Sequence, residues 1–183
     1  EGSYLDITGL ACYRVADVPK WYDALDEQHR WAIQAKFWAA VAEQCKNSPA
    51  VFCYDLMNEP ISSGKRTDGK WYTGEFGGFD FIQFITLNPT DRPREPIAVD
   101  WIRTMKQAIR KHDREHMITV GLLPWDEKWH HLSGFIPEQV AKELDFISVH
   151  IYPEAGKIPQ AIEGLRKFEV GKPVVIEETF PLA

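Results

Sequence analysis

Three cysteines, a deficit of positive charge and the lack of any long apolar run remove several function classes at once. Cys12, Cys45 and Cys53 have no spacing that builds a thiolate metal site. An odd count allows at most one disulfide, and Cys53, inside an apolar run, reads as a buried thiol. Lysines and arginines number 21 against 27 aspartates and glutamates, a net charge of −6. Such a chain lacks the basic footprint that grips a phosphate backbone, so no nucleic-acid partner is expected. No apolar stretch approaches the roughly 18 residues that cross a bilayer, so no membrane partner is expected either. There is no repeat, low-complexity tract or linker, and no signal peptide; "EGSYLDITGL" reads as the inside of a domain. No cofactor and no metal is expected.

Aromatic residues are plentiful instead: 13% of the chain, seven of them tryptophan. On a helix, as at Trp31 and Trp38, they suit core packing. In loops an indole waits for a flat apolar partner.

Short apolar runs alternate with helical patterns. Strands are predicted over 4–10, 50–57, 117–123, 145–152 and 173–178. Helices are predicted over 27–46, 96–113, 137–144 and 158–169. On the first helix Trp31, Ile33, Ala35, Phe37, Trp38, Val41 and Ala42 carry the apolar period. The strands are continuous apolar runs, as expected where both faces are covered, and strand–helix alternation predicts a parallel sheet with right-handed crossovers. The fold class is therefore α/β, with about five parallel strands. Two long strand-to-helix loops are expected, 9–26 and 61–95. The second carries Trp71 and Tyr72 and reads as a substrate-facing wall.

The unusual polar residues cluster after strand ends, where parallel α/β folds bind ligands. "YDLMNEP" ends a buried run with Asn58 and Glu59, then stops strand pairing with Pro60. "PVVIEETF" repeats the pattern with Glu177 and Glu178. Adjacent strand residues point to opposite faces, so one of these two should reach the mouth of the sheet; spacing alone does not choose which. In "SVHIYPE", His150 and Tyr152 lie two apart, on one side of their strand, where they can hold a carboxylate in place. Two carboxylates, a His-x-Tyr pair and an aromatic cleft suit glycoside cleavage, one carboxylic acid protonating the leaving oxygen and the other attacking the anomeric carbon.

"NSPAVFCYDLMNEP", "DFISVHIYP" and "GKPVVIEETF", in that order, resemble glycoside hydrolase clan A, and most of all glycoside hydrolase family 5, the cellulases and mannanases. The resemblance implies a (β/α)8 TIM barrel and a retaining hydrolase of β-linked glycans. It implies that residues 1–183 are a single catalytic domain from the middle of the barrel, without its first two strands and its last. By motif, Glu59 is the acid/base and Glu178 the nucleophile, with Asn58, His150 and Tyr152 in support. Trp125 is the expected sugar-stacking platform, followed by Trp71, Tyr72 and Trp129. An oligo- or polysaccharide substrate and a secreted or periplasmic location follow from the resemblance alone. The sequence departs from the family at Thr8, where many members carry histidine, and in "EETFPL", where a glycine commonly follows the aromatic.

Two other readings compete. A barrel with this motif set could bind glycans without cleaving them. And "HDREH" matches an H-x-x-E-H zinc signature through His112, Glu115 and His116, which requires both histidines on one helix face.

Overall fold

Asp26 opens the first long helix by accepting a hydrogen bond from the backbone N–H of His29 at 2.9 Å. The computed structural model describes residues 19–64, 67, 69–76, 78–123 and 133–179. In chain order the elements are α1 (Lys20–Asp23), α2 (Glu27–Cys45), β1 (Cys53–Asn58), β2 (Ile61–Ser62), β3 (Tyr72–Phe76) and β4 (Phe79–Thr86). There follow α3 (Arg94–Arg110), β5 (Met117–Leu122), α4 (Pro137–Val140), β6 (Ile147–His150), α5 (Ile158–Gly164) and β7 (Val174–Glu178). A 3-10 turn, Leu165–Phe168, continues α5.

β1, β5, β6 and β7 form one parallel sheet in that spatial order. These are four of the five expected strands; the expected strand 4–10, with Thr8, lies outside the described residues. Helices α2 and α3 pack together over the sheet, and their shared core includes Trp38, Leu56, Trp101, Ile102, Val120 and Ile147. The order of strands and intervening helices is that of consecutive units of a (β/α) barrel.

The expected 61–95 loop instead contains three strands. β2 follows Pro60 at once and pairs parallel with β4, which pairs antiparallel with β3. The hairpin places Phe76 opposite Phe79, with the Gly77-Gly78 dipeptide between them. Gly78 has φ +86°, a conformation that a side chain would strain. Aromatic and β-branched residues on both sides of a Gly-Gly pair are a hairpin signal, which the length of the segment obscured.

The buried stripe of α2 also differs from the expected one. It runs Arg30, Gln34, Trp38, Ala42, four residues apart, with two polar members. Arg30 finds partners for its two terminal nitrogens, though its Nε has none among the described residues, and Gln34 is paired at both ends of its amide. Gln34 accepts from the indole N–H of Trp101 and donates to the Tyr22 hydroxyl, each at 2.9 Å. Trp31, Ala35, Phe37 and Val41 are half-buried flanks of the same core.

The end of the sheet where the strands begin is tied by Asp113. It accepts from the Tyr54 hydroxyl at 2.6 Å and from the backbone N–H groups of Glu115 and His116 at 2.9 and 3.1 Å. It also meets His116 Nδ1 at 2.6 Å. Burial pushes the Asp113 carboxyl up, but these hydrogen bonds outweigh it and hold the group well below the usual carboxylate range. The zinc reading of this segment does not stand. α3 ends at Arg110, so His112 and His116 do not share a helix face. His112 pairs with Glu43, and His116 spends its second ring nitrogen on the Ser48 carbonyl. Among the described residues no group of ligating side chains could hold a metal ion, and no helix is long and apolar enough to cross a membrane.

Asp113→Asn should lower stability by roughly 1–3 kcal/mol at neutral pH in urea unfolding. A depressed carboxyl contributes fully above its free value of 3.8 and loses that share as pH falls below it. The gap between variant and parent should therefore close in acid; a gap that is constant with pH would show that Asp113 is not the linked group.

Candidate active site

The ends of β1, β6 and β7 meet at His150. It is buried, and its Nδ1 lies 2.9 Å from Glu59 Oε1 and 3.4 Å from Glu178 Oε2. Tyr152, two residues on, donates its hydroxyl hydrogen to Glu178 Oε1. Ser148, two residues back, donates to Glu177 Oε2. Residues 148, 150 and 152 alternate along one side of the chain, so β6 and the segment just beyond it present three polar groups in a row to carboxylates from the ends of β1 and β7.

Irregular register brings those carboxylates into reach. The β1–β5 pairing shifts between Asp55 and Asn58, just before Glu59. Glu59 itself has φ +43°, in the left-handed region that disfavours a branched or long side chain, and its N–H donates to the Gly121 carbonyl at 2.8 Å. The β6–β7 pairing shifts between Val149 and His150, so that His150 stands opposite Glu178. The expectation that one of Glu177 and Glu178 turns away is thereby corrected. Both reach the inner row of β6, Glu177 at Ser148 and Glu178 at His150 and Tyr152, because the shift cancels the ordinary alternation.

The two carboxylates that share His150 Nδ1 differ in setting. Glu59 is 4% exposed, while the Glu178 side chain is 34% exposed. Burial raises the Glu59 pKa, the His150 hydrogen bond opposes the rise, and the nearby Glu178 charge adds to it; the net direction is up. For His150, burial pulls down, but the hydrogen bond and charge of Glu59, with Glu178 and Asp55 behind, leave it raised. Asn58 ends β1 and is buried beside Glu59.

The expected sugar platforms fare otherwise. Trp71 and Tyr72 are 4% and 5% exposed. Their faces are taken by Arg30, whose guanidinium carbon stacks 4.1 Å from the Trp71 ring and 4.0 Å from the Tyr22 ring. Arg30 also donates to the Tyr72 hydroxyl at 2.8 Å. These aromatics enclose a buried cation and are not open to a sugar. Trp125 and Trp129 lie outside the described residues.

Three residues at the site were missed in the sequence: Ser148, Asp55 and, as more than a neighbour of Glu178, Glu177. Asp55 is partly buried, accepts from the Gly121 N–H at 2.8 Å, and is pushed up to about 8 by burial and by the charge of Glu177. A lone carboxylate inside an otherwise apolar strand was the available signal. Cys53, behind it, is pushed up to about 12 by burial, so its thiol stays neutral.

A raised carboxyl inverts the usual linkage. Ionising Glu59 costs the fold free energy that is absent below the free value of 4.5 and grows as pH rises through the folded pKa. Glu59→Gln should therefore raise the melting temperature at pH 7, and the gain should vanish as pH falls below that value. A gain that persists at pH 3, or none at pH 7, would place the strain elsewhere.

Comparison with known proteins bears on this arrangement. Residues 15–178 match the family model for cellulase, glycosyl hydrolase family 5. The chain is 25% identical over 173 residues to mannan endo-1,4-beta-mannosidase A of Podospora anserina, covering 86% of this chain and 38% of that protein. It is 27% identical over 139 residues to mannan endo-1,4-beta-mannosidase 2 of Arabidopsis thaliana, covering 68% of this chain and 26% of that protein. The chain thus spans well under half the length of these curated relatives. In fold it is similar to a GH10 xylanase from termite gut that contains a bacterial Ig-like domain, with a TM-score of 0.53 at 16% identity, over 93% of this chain and 38% of the other. The described sheet and helices are accordingly part of a (β/α)8 barrel, and the chain belongs to glycosyl hydrolase family 5.

Proposed function

We propose that the protein is a retaining hydrolase of β-linked glycans, with Glu59 as acid/base and Glu178 as nucleophile. The observation that carries this is the meeting of both carboxylates at one atom. Two oxygens at 2.9 and 3.4 Å from His150 Nδ1 are at most about 6.3 Å apart. Retaining enzymes hold their carboxyl groups about 5–5.5 Å apart, and inverting ones at about 6.5–9.5 Å, with room for a water between. So close a meeting of two carboxylate oxygens supports the retaining arrangement.

The settings of the two groups support the roles. The buried carboxyl with the raised pKa is the better suited of the two to carry a proton and deliver it to the leaving glycosidic oxygen. Glu178, more exposed and oriented by the Tyr152 hydroxyl, is free to attack the anomeric carbon. Once the glycosyl–enzyme bond forms, Glu178 loses its negative charge. The part of the Glu59 rise that comes from the Glu178 charge disappears, which favours Glu59 as the base that activates water for the second step. The curated relatives are named for endo-1,4 cleavage of mannan, so a β-1,4-mannan is the substrate class to try first. A polymer of that size would be met outside the cell, which fits a secreted enzyme.

The test is made on the full-length protein with mannan and cellulose oligosaccharides. Glu59→Gln should lower kcat on natural glycans by about 10²–10⁴-fold while oligosaccharide binding survives. Glu178→Ala should be inactive, and azide should restore a glycosyl azide of inverted configuration. Wild-type protein that binds oligosaccharide and never hydrolyses it would overturn the enzymatic reading in favour of a binding barrel. Product of inverted configuration from the wild type would overturn the two-step mechanism.

A further inference from the structure

Beneath the pair that meets His150 Nδ1 lies a second pair of carboxylates, at the other ring nitrogen. Glu177 Oε2 is 3.9 Å from His150 Nε2 and is held by the Ser148 hydroxyl. Asp55 Oδ1 is fixed by the Gly121 N–H, while its Oδ2 has no hydrogen-bond partner among the described residues. Gly121 explains how they fit. A Cβ built there would lie 2.8 Å from His150 Nε2 and 3.1 Å from Asp55 Oδ2. Any side chain on β5 at this point would occupy the space into which the imidazole and the carboxylate both project. His150 therefore has Glu59 and Glu178 at Nδ1, Glu177 on the Nε2 side, and Asp55 across the space that Gly121 leaves open.

We propose that Asp55 and Glu177 are positioning residues, a lower carboxylate layer that keeps a proton on His150 Nε2 and so makes the Nδ1–Glu59 contact the place where the working proton resides. The inference rests on the glycosidase reading for its kinetic consequence but not for its chemistry. An imidazole with Nε2 protonated presents Nδ1 to Glu59 either as acceptor from the carboxylic acid or, as imidazolium, as donor to the carboxylate. In both cases one proton sits between Nδ1 and Oε1. Negative charge at Nε2 raises the affinity of the pair for that proton. β5, with the sequence MITVGL, brings no titratable group to the ring. The groups facing it are Glu59, Asp55 and, behind Asp55, the neutral Cys53 thiol from β1, with Glu177 and Glu178 from β7 and Tyr152 beyond β6. Burial and the Glu177 charge push Asp55 up to about 8, so the Asp55 carboxyl favours its protonated form near neutrality.

The test is a pH titration of the His150 ring by ¹⁵N NMR in the full-length protein, beside the pH profile of kcat/KM. Glu177→Gln should lower the apparent His150 pKa by roughly one unit and move the alkaline limb of kcat/KM down with it. Asp55→Asn, isosteric with the protonated acid, should shift the same limb in the same direction by less, and it carries the test if Glu177→Gln fails to fold. A His150 titration unmoved by either substitution, or activity lost evenly at every pH, overturns the proposal. If His150 shifts as expected while no glycan is ever cleaved, the glycosidase reading fails and the assignment of the lower layer stands.

Discussion

The site depends on two places where strands slip out of regular register. A parallel sheet alternates its side chains strictly, and strict alternation would send one of every two neighbouring residues away from the ligand face. The shift between Asp55 and Asn58 turns Glu59 inward at a left-handed backbone angle, and the shift at Val149–His150 sets Glu178 against His150. With these in place, β6 needs only regular geometry to present Ser148, His150 and Tyr152 as a column of partners. The irregular strands carry the carboxylates, and the regular strand between them holds them.

The two ends of the sheet use the same residue types for different ends. Where the strands begin, Asp113, His116 and Tyr54 make a closed set of hydrogen bonds, and the carboxyl is held below its ordinary range. Where they end, Glu59, His150 and Tyr152 sit among further carboxylates, and Glu59 and Asp55 are held above it. Asp113 is surrounded by donors and stays charged, which suits a structural tie. Glu59 faces other acids and favours a proton it can give away. The contrast follows from the neighbours, because burial raises both groups.

How far the sequence could be read depended on whether a residue's role was local. Glu59, His150 and Tyr152 were legible because a proline or an i, i+2 spacing fixes their direction within a few residues. The order of strands and helices was legible from apolar runs and helical periodicity, while the Asp26 cap was not picked out. The orientation of Glu177 was not, since a register shift belongs to a pair of strands and leaves no mark in either. Trp71 and Tyr72 misled for a related reason. They looked like an aromatic wall because nothing nearby in sequence could cover them, and what covers them is Arg30, some forty residues earlier. Gln34 and Arg30 escaped the hydrophobic period because their partners, Trp101, Tyr22 and Tyr72, come from other elements.

Arg30 has a bearing on how the molecule comes apart. Its charge is shared out among three aromatic rings, the Tyr22 carbonyl and the Tyr72 hydroxyl, contributed by the α1 and β3 regions. Withdrawing any one of those elements would leave a guanidinium in an apolar surround with too few acceptors, a costly state. The hairpin and α1 therefore cannot fray independently of α2. They form a small satellite core with its own all-or-none opening, and amides in β3 and β4 should exchange together with those around Tyr22, on a timescale separate from the parallel sheet beside them.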